Sequence, residues 1–216
     1  MKAILFDFDG TLADTAPGIV LTMKETFRTM ELPEPDAEAI KQTIGLPLKE
    51  CVRVLGESFG PFSDEDAERG VVIYRKHFPT FELSNITMFP DVADTLRQLT
   101  ADGLRLAICT SRGYESLQRI LQRHELWDSF ETVVTSWDNI APKPAPDLVL
   151  TLLERMGLNA DDALVVGDTI YDIQMGASAG CKTVAVTYGN HTKAQLEAVS
   201  PTFMIDRFSE MLDIVR

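Results

Sequence analysis

The sequence predicts an α/β protein, a doubly wound, mostly parallel sheet interrupted by an all-helical insert. Three observations predict it. Short apolar runs at residues 3–8, 104–109 and 163–166 each stop at a cluster of polar turn residues, as strands buried on both faces of a parallel sheet do. Stretches with helical spacing separate those runs. Residues 15–83, in contrast, give helix after helix with no strand between them. The expected division is a core of residues 1–14 and 84–216 and a helical insert of residues 15–83.

Residues 3–8 form the first strand, and Asp7 and Asp9 interrupt it at its end. Buried acids are costly unless paired or bound to a cation, so both belong where the strand meets the crevice beyond its carboxyl end. Side chains two apart share one side of a strand, and Gly10 then lets the chain turn. Ile19, Met23, Phe27 and Met30 recur at helical intervals after Pro17, which suits a first turn. Pro33 and Pro35 break that helix. A second starts at Asp36, a Gly45-Leu46-Pro47 turn follows, a third runs through Leu55, and a fourth spans 63–78.

Val92, Leu96 and Leu99 mark the next helix, with Gly103 behind it, and residues 104–109 form a strand ending in Thr110-Ser111-Arg112-Gly113. A hydroxyl followed by free backbone amides at a helix start is a phosphate cradle. Residues 130–135 are a further strand. Lys143 lies between Pro142 and Pro144, which hold the backbone extended around it. The strand at 163–166 ends in Gly167-Asp168, with Asp172 one helical turn on. Residues 182–187 and 203–205 complete the strands, helices follow at 170–179 and 194–199, and a last amphipathic helix closes the chain. Tyr188-Gly189-Asn190 ends a strand at the same edge, with no chemistry assigned to it.

With 216 residues, 45% of them hydrophobic, the chain is long enough for a packed core, and a net charge of −13 argues against a nucleic-acid partner. The absence of an apolar run of spanning length, and an amino terminus that enters a strand at once, predict a cytoplasmic protein without membrane association. Cys51, Cys109 and Cys181 lack paired spacing, and His77, His124 and His191 lack ligand spacing. They read as packing or surface residues.

The string Asp7-Phe8-Asp9-Gly10-Thr11-Leu12-Ala13-Asp14-Thr15 resembles the first motif of the haloacid dehalogenase superfamily, the aspartate-nucleophile phosphotransferases. Thr110, Lys143 in its Lys-Pro-Ala-Pro-Asp setting, and Gly167-Asp168 with Asp172 resemble the second, third and fourth motifs, in the family's order. The resemblance implies a Rossmann-like catalytic core, a helical cap over the site and a Mg2+ cofactor. Asp7 would be the nucleophile and Asp9 the general acid and base. Thr110 and the Ser111 amide would hold phosphoryl oxygens, and Lys143 would steady the charge. Asp7, Asp168 and the backbone carbonyl of Asp9 would hold the metal, with Asp172 orienting its waters. Gly10, Gly45, Leu46, Pro47, Lys49 and Arg112 would line the substrate, and Arg53 is a further candidate partner for a second anionic end.

The implied reaction is phosphatase hydrolysis of a small phosphorylated metabolite, similar to phosphoglycolate phosphatases, by a monomer or weak homodimer. A β-phosphoglucomutase-like mutase, an inorganic pyrophosphatase and a phosphonate hydrolase remain alternatives within the superfamily. A phosphate-sensing protein on the same fold is the non-enzymatic alternative. Asp9 favours turnover, because a sensor prolongs its phosphoaspartate by lacking a general base.

Overall fold

A computed structural model describes residues 1–215. Its centre is β1 (Ala3–Phe6), flanked in parallel by β4 (Arg105–Cys109) and β6 (Ala163–Gly167). With β5 (Thr132–Val134), β7 (Lys182–Val186) and β8 (Phe203–Ile205) the sheet runs β5-β4-β1-β6-β7-β8, parallel throughout. The order reverses direction at β1, and an open sheet binds its ligands at such a switch point. In register, Phe6 faces both Ile108 and Val166, so the residues after these three strands emerge side by side.

Alternate side chains of β1 serve opposite cores. Ile4 and Phe6 join Leu106, Ile108, Leu164 and Val166 on one face, and Ala3 and Leu5 join Ala107, Cys109 and Val165 on the other. Helices α5 (Val92–Ala101), α6 (Tyr114–Arg123) and α10 (Met211–Ile214) cover the first face, and α7 (Asp147–Met156) and α8 (Ile170–Ser178) the second. The short α9 (Lys193–Ala198) packs Leu196 against Ile173 and Ala185. Each fully buried Phe, Leu or Val contributes about 1.5–3 kcal/mol, which fixes the register of β1 firmly.

Four helices lie between β1 and the rest of the sheet: α1 (Ala16–Thr29), α2 (Ala37–Lys41), α3 (Leu48–Glu57) and α4 (Asp64–Glu82). They close around their own cluster of Met23, Phe27, Ile40, Val52, Leu55 and Tyr74. A two-stranded antiparallel ribbon of β2 (Ala13–Asp14) and β3 (Thr87–Met88) brackets them. Strands of two residues leave no periodicity, and neither was expected.

Two of the boundaries that differ from expectation bear on the site. The first strand stops at Phe6 rather than residue 8, because the Phe8 carbonyl accepts from the amides of Thr11, Leu12 and Ala13 and turns the chain. The fourth helix passes Pro79 and runs to Glu82 instead of stopping at 78. Proline removes one helical hydrogen bond, and the last turn is held from outside by ion pairs of Glu82 with Arg112 and Arg119.

Candidate active site

Asp7 follows β1 directly, and its amide still donates to the Val166 carbonyl (2.8 Å), so its side chain sits at the carboxyl edge beside the end of β6. Lys143 Nζ donates to Asp7 Oδ1 and to Asp172 Oδ1, each at 2.6 Å, and the ammonium is fully buried. Asp172 Oδ2 accepts from the Thr169 amide (3.0 Å) and hydroxyl (2.7 Å), a capping box that fixes the first turn of α8. Both Asp172 oxygens are therefore committed to the protein.

Asp168 is fully buried as well. Its Oδ1 accepts from the Thr11 hydroxyl (3.1 Å) and its Oδ2 from the amide (2.7 Å) and side chain (2.8 Å) of Asn190. Tyr188 donates its hydroxyl to the Thr11 carbonyl (2.9 Å), fixing the loop that presents Thr11. Close backbone approach makes this possible. A Cβ at Gly10 would lie 2.1 Å from Asp168 Oδ2, and one at Gly189 would lie 2.2 Å from Asp168 Cβ.

Asp7, Asp168 and Asp172 each offer an oxygen within 4.8 Å of the others, with one ammonium among them. Burial pushes the Asp7 carboxyl well above its usual range, and Asp172, Asp168 and Asp9 add to it while Lys143 opposes. Burial, then Asp172, pushes Asp168 up to about 7 despite its hydrogen bonds. Burial works against the Lys143 ammonium, yet Asp172 and Asp7 outweigh it and hold its pKa raised. Three carboxylates carry more negative charge than one lysine can balance, and Asp7 and Asp168 among them offer hard oxygens that fit a hard divalent cation.

Asp9 lies on the other side of the crevice, where Arg112 Nε donates to both its oxygens at 3.1 Å. The same guanidinium bonds Glu82 (3.2 Å) and Ser116 (2.6 Å) and stacks over Phe8 and Phe78. Thr110 is fully buried, with its hydroxyl oxygen accepting from the Arg112 amide (3.1 Å). Ser111 turns away from the acids and donates to the Gly45 carbonyl (2.8 Å), tying the α2–α3 loop to the end of β4.

The structure therefore brings together Asp7, Asp9, Gly10, Thr110, Lys143, Asp168 and Asp172. Gly45 and Leu46 line a cavity of about 360 Å³ over Asp9. It does not bring Lys49 there: that ammonium is exposed and pairs with Asp64 (2.8 Å) and Glu68 (2.9 Å). Arg53 is likewise taken up by Glu50 and Glu57, and Pro47 serves as the cap of α3. Arg112, expected to meet a second anionic end of the substrate, lines that cavity while paired with Asp9 and Glu82. Asn190, Thr11 and Glu82 carry site geometry that sequence reasoning missed. Asn190 had a signal in its place at the end of a strand at the ligand-binding edge; Glu82, in a helix far along the chain, had none.

An open parallel sheet that gathers a carboxylate, a buried lysine and further acids at its carboxyl edge makes an acidic centre fit to hold a divalent cation. A family model described as haloacid dehalogenase-like hydrolase matches residues 4–186, and the chain belongs to that family. It is 36% identical to "Probable phosphatase IndB" of Dickeya dadantii over 97% of this chain and 91% of that one. It is 31% identical to a phosphoglycolate phosphatase of Salmonella choleraesuis over 98% and 91% of the two chains. Among solved structures, a haloacid dehalogenase-like hydrolase of Streptococcus pneumoniae superposes with a TM-score of 0.88 at 26% identity, covering 100% of this chain and 99% of that one. The protein is a phosphatase of this family.

Proposed function

We propose that the protein is a Mg2+-dependent phosphatase that hydrolyses small phosphorylated metabolites through a phosphoryl group carried on Asp7. The observation that carries this reading is the Asp7 carboxylate held at 2.6 Å by a buried Lys143, with Asp168 and Asp172 beside it. A carboxylate approaches a phosphoryl dianion only where cations cancel the repulsion. Asp7, Asp168 and the carbonyl of Asp9 would hold the metal, which supplies charge neutralisation and orientation of the phosphoryl oxygens. Asp172 would steady Lys143 and water from outside the ligand set.

Asp7 Oδ attacks phosphorus in line as the ester oxygen departs, and Asp9 gives that oxygen its proton. Thr110 and the Ser111 amide hold the phosphoryl oxygens during transfer. Asp9, now a carboxylate, takes a proton from the water that attacks phosphorus next. Orthophosphate leaves and Asp7 is regenerated. Residues 15–83 act as a cap on a core of residues 1–14 and 84–216 and choose the leaving group. The enzyme works in the cytoplasm as a monomer or weak homodimer.

The test is phosphate release across a panel of phosphorylated metabolites with Mg2+ and with EDTA. Metal-dependent turnover of a monoester supports the proposal, and no turnover on any compound overturns it. A phosphate sensor is separated by the lifetime of the phosphorylated protein: seconds or less for an enzyme, hours for a sensor.

A further inference from the structure

A cavity lies between the helical bundle and the sheet. Of the four acids clustered at the carboxyl edge, Asp9 alone lines it. On the proposed mechanism, the group beside Asp9 is the leaving alcohol, so this cavity is the chamber that receives it. Its volume is about 360 Å³, and pockets of about 300–1,000 Å³ enclose whole drug-sized ligands. Its walls come from Met23, Ile44, Leu46, Tyr74, Phe78 and Trp137. A glycolate or an orthophosphate leaving group would leave those walls facing trapped water.

Charge points the same way. Arg112 and Arg119 reach the chamber already paired, Arg112 with Asp9 and Glu82 and Arg119 with Glu82. At the rim, Arg75 of α4 and Glu115 of α6 offset one another in net charge. A second phosphate or a carboxylate on the leaving group would have to compete with the buried Glu82 for those arginines, whereas a neutral body with a planar or branched apolar face would bury against aromatic and aliphatic carbon.

We infer that the preferred substrates are phosphate monoesters of bulky, largely apolar, uncharged alcohols, and that phosphoglycolate and pyrophosphate are poor ones. The inference rests on the phosphatase reading above.

The experiment compares kcat/KM for 1-naphthyl phosphate, phosphoglycolate and pyrophosphate with Mg2+ present, in the wild-type protein and in Leu48→Trp, which puts bulk at the cavity wall without touching Asp9. Binding of free 1-naphthol, followed by isothermal titration calorimetry, is measured alongside. The expected result is a preference of at least tenfold for the naphthyl ester, at least a tenfold loss of that preference in Leu48→Trp, and naphthol binding that weakens in the same variant. Higher kcat/KM for phosphoglycolate or pyrophosphate, or naphthol binding unchanged by Leu48→Trp, overturns the inference and leaves the phosphatase reading standing. Naphthol binding that depends on residue 48 in a protein that hydrolyses none of the esters has the opposite meaning: the chamber assignment holds and the phosphatase reading falls.

Discussion

Arg112 joins Asp9 to Glu82: its Nε donates to both Asp9 oxygens at 3.1 Å while its Nη1 reaches Glu82 at 3.2 Å on the last turn of α4. Asp9 closes the first strand's turn, and Glu82 lies at the far end of the helical bundle, so one buried guanidinium couples the proposed acid to the bundle. Burial disfavours its charge, and Asp9 and then Glu82 more than restore it. Arg112→Ala leaves Glu82 buried with only Arg119 and Ser116 as partners. Breaking a buried pair costs about 3–5 kcal/mol, and the surviving Arg119 pair points to the lower end. At about 2–4 °C per kcal/mol for a chain of this size, the melting temperature falls by roughly 6–12 °C. Arg112→Lys keeps the charge but loses the fork on Asp9, so kcat falls while stability falls less. Thermal denaturation and phosphate-release kinetics on both variants check this.

Asp7→Asn keeps shape and volume and removes the attacking charge. Turnover is expected to fall by at least about ten-thousandfold, because no other carboxylate occupies the position from which a phosphorus bond would form. The same substitution removes one acid from a site where burial already holds Asp7 well above its usual range, so stability is retained or increases. Phosphate release together with thermal denaturation reads both effects. Near wild-type turnover in a correctly folded variant would dismiss Asp7 as the nucleophile.

Metal removal gives a prediction independent of chemistry. A cation that binds the native acids and not the unfolded chain stabilises by about 2.7 kcal/mol at a hundred times its dissociation constant. Adding Mg2+ to EDTA-treated protein is therefore expected to raise the melting temperature by several degrees, and Asp168→Asn to abolish most of that rise. Differential scanning calorimetry with and without Mg2+ measures it. An unchanged melting temperature would remove the metal from the proposal.

Asp7, Thr110 and Asp168 were legible in sequence because each directly follows an apolar strand, Lys143 because it sits in a rigid proline frame, and Asp172 because it lies one helical turn beyond Asp168, so local pattern fixed each address. Asn190 and Thr11 orient Asp168 from chain positions 22 and 157 residues away, and only the packing of β7 and the first turn against β6 reveals them. The same holds for Glu82. Its role depends on where α4 ends, and the helix expected from sequence stopped at residue 78. Lys49 shows the reverse error, because a cation near the expected loop in sequence faces Asp64 and Glu68 in space. Asn190→Ala tests what was missed. Loss of the side-chain donor leaves the backbone amide on Asp168, so Mg2+ affinity is expected to weaken by about 10–100-fold while kcat at saturating Mg2+ stays near wild type. Titrating activity against Mg2+ separates that from a general loss of fold, which would lower kcat at every concentration.

Gly10 supplies the sharpest steric test. Its φ of +85° lies in the region that disfavours any residue with a Cβ, and an added Cβ would fall 2.1 Å from Asp168 Oδ2 and 2.2 Å from the Asn190 side-chain amide. Alanine there costs backbone strain of the order of 1 kcal/mol and must also push Asp168 off the position its three hydrogen bonds define. Neither partner is the far end of a flexible chain free to retreat, since Asp168 is held by Thr11 and Asn190. Gly103→Ala serves as the control, with a similar φ of +86° and nothing within 4 Å of the added carbon. Both variants are expected to lose stability through strain, Gly10→Ala the more because of the added overlap, but only Gly10→Ala is expected to lose the Mg2+-induced rise in melting temperature together with phosphatase activity. If the two behave alike in the metal titration, the close approach of the first turn to Asp168 has no bearing on cation binding.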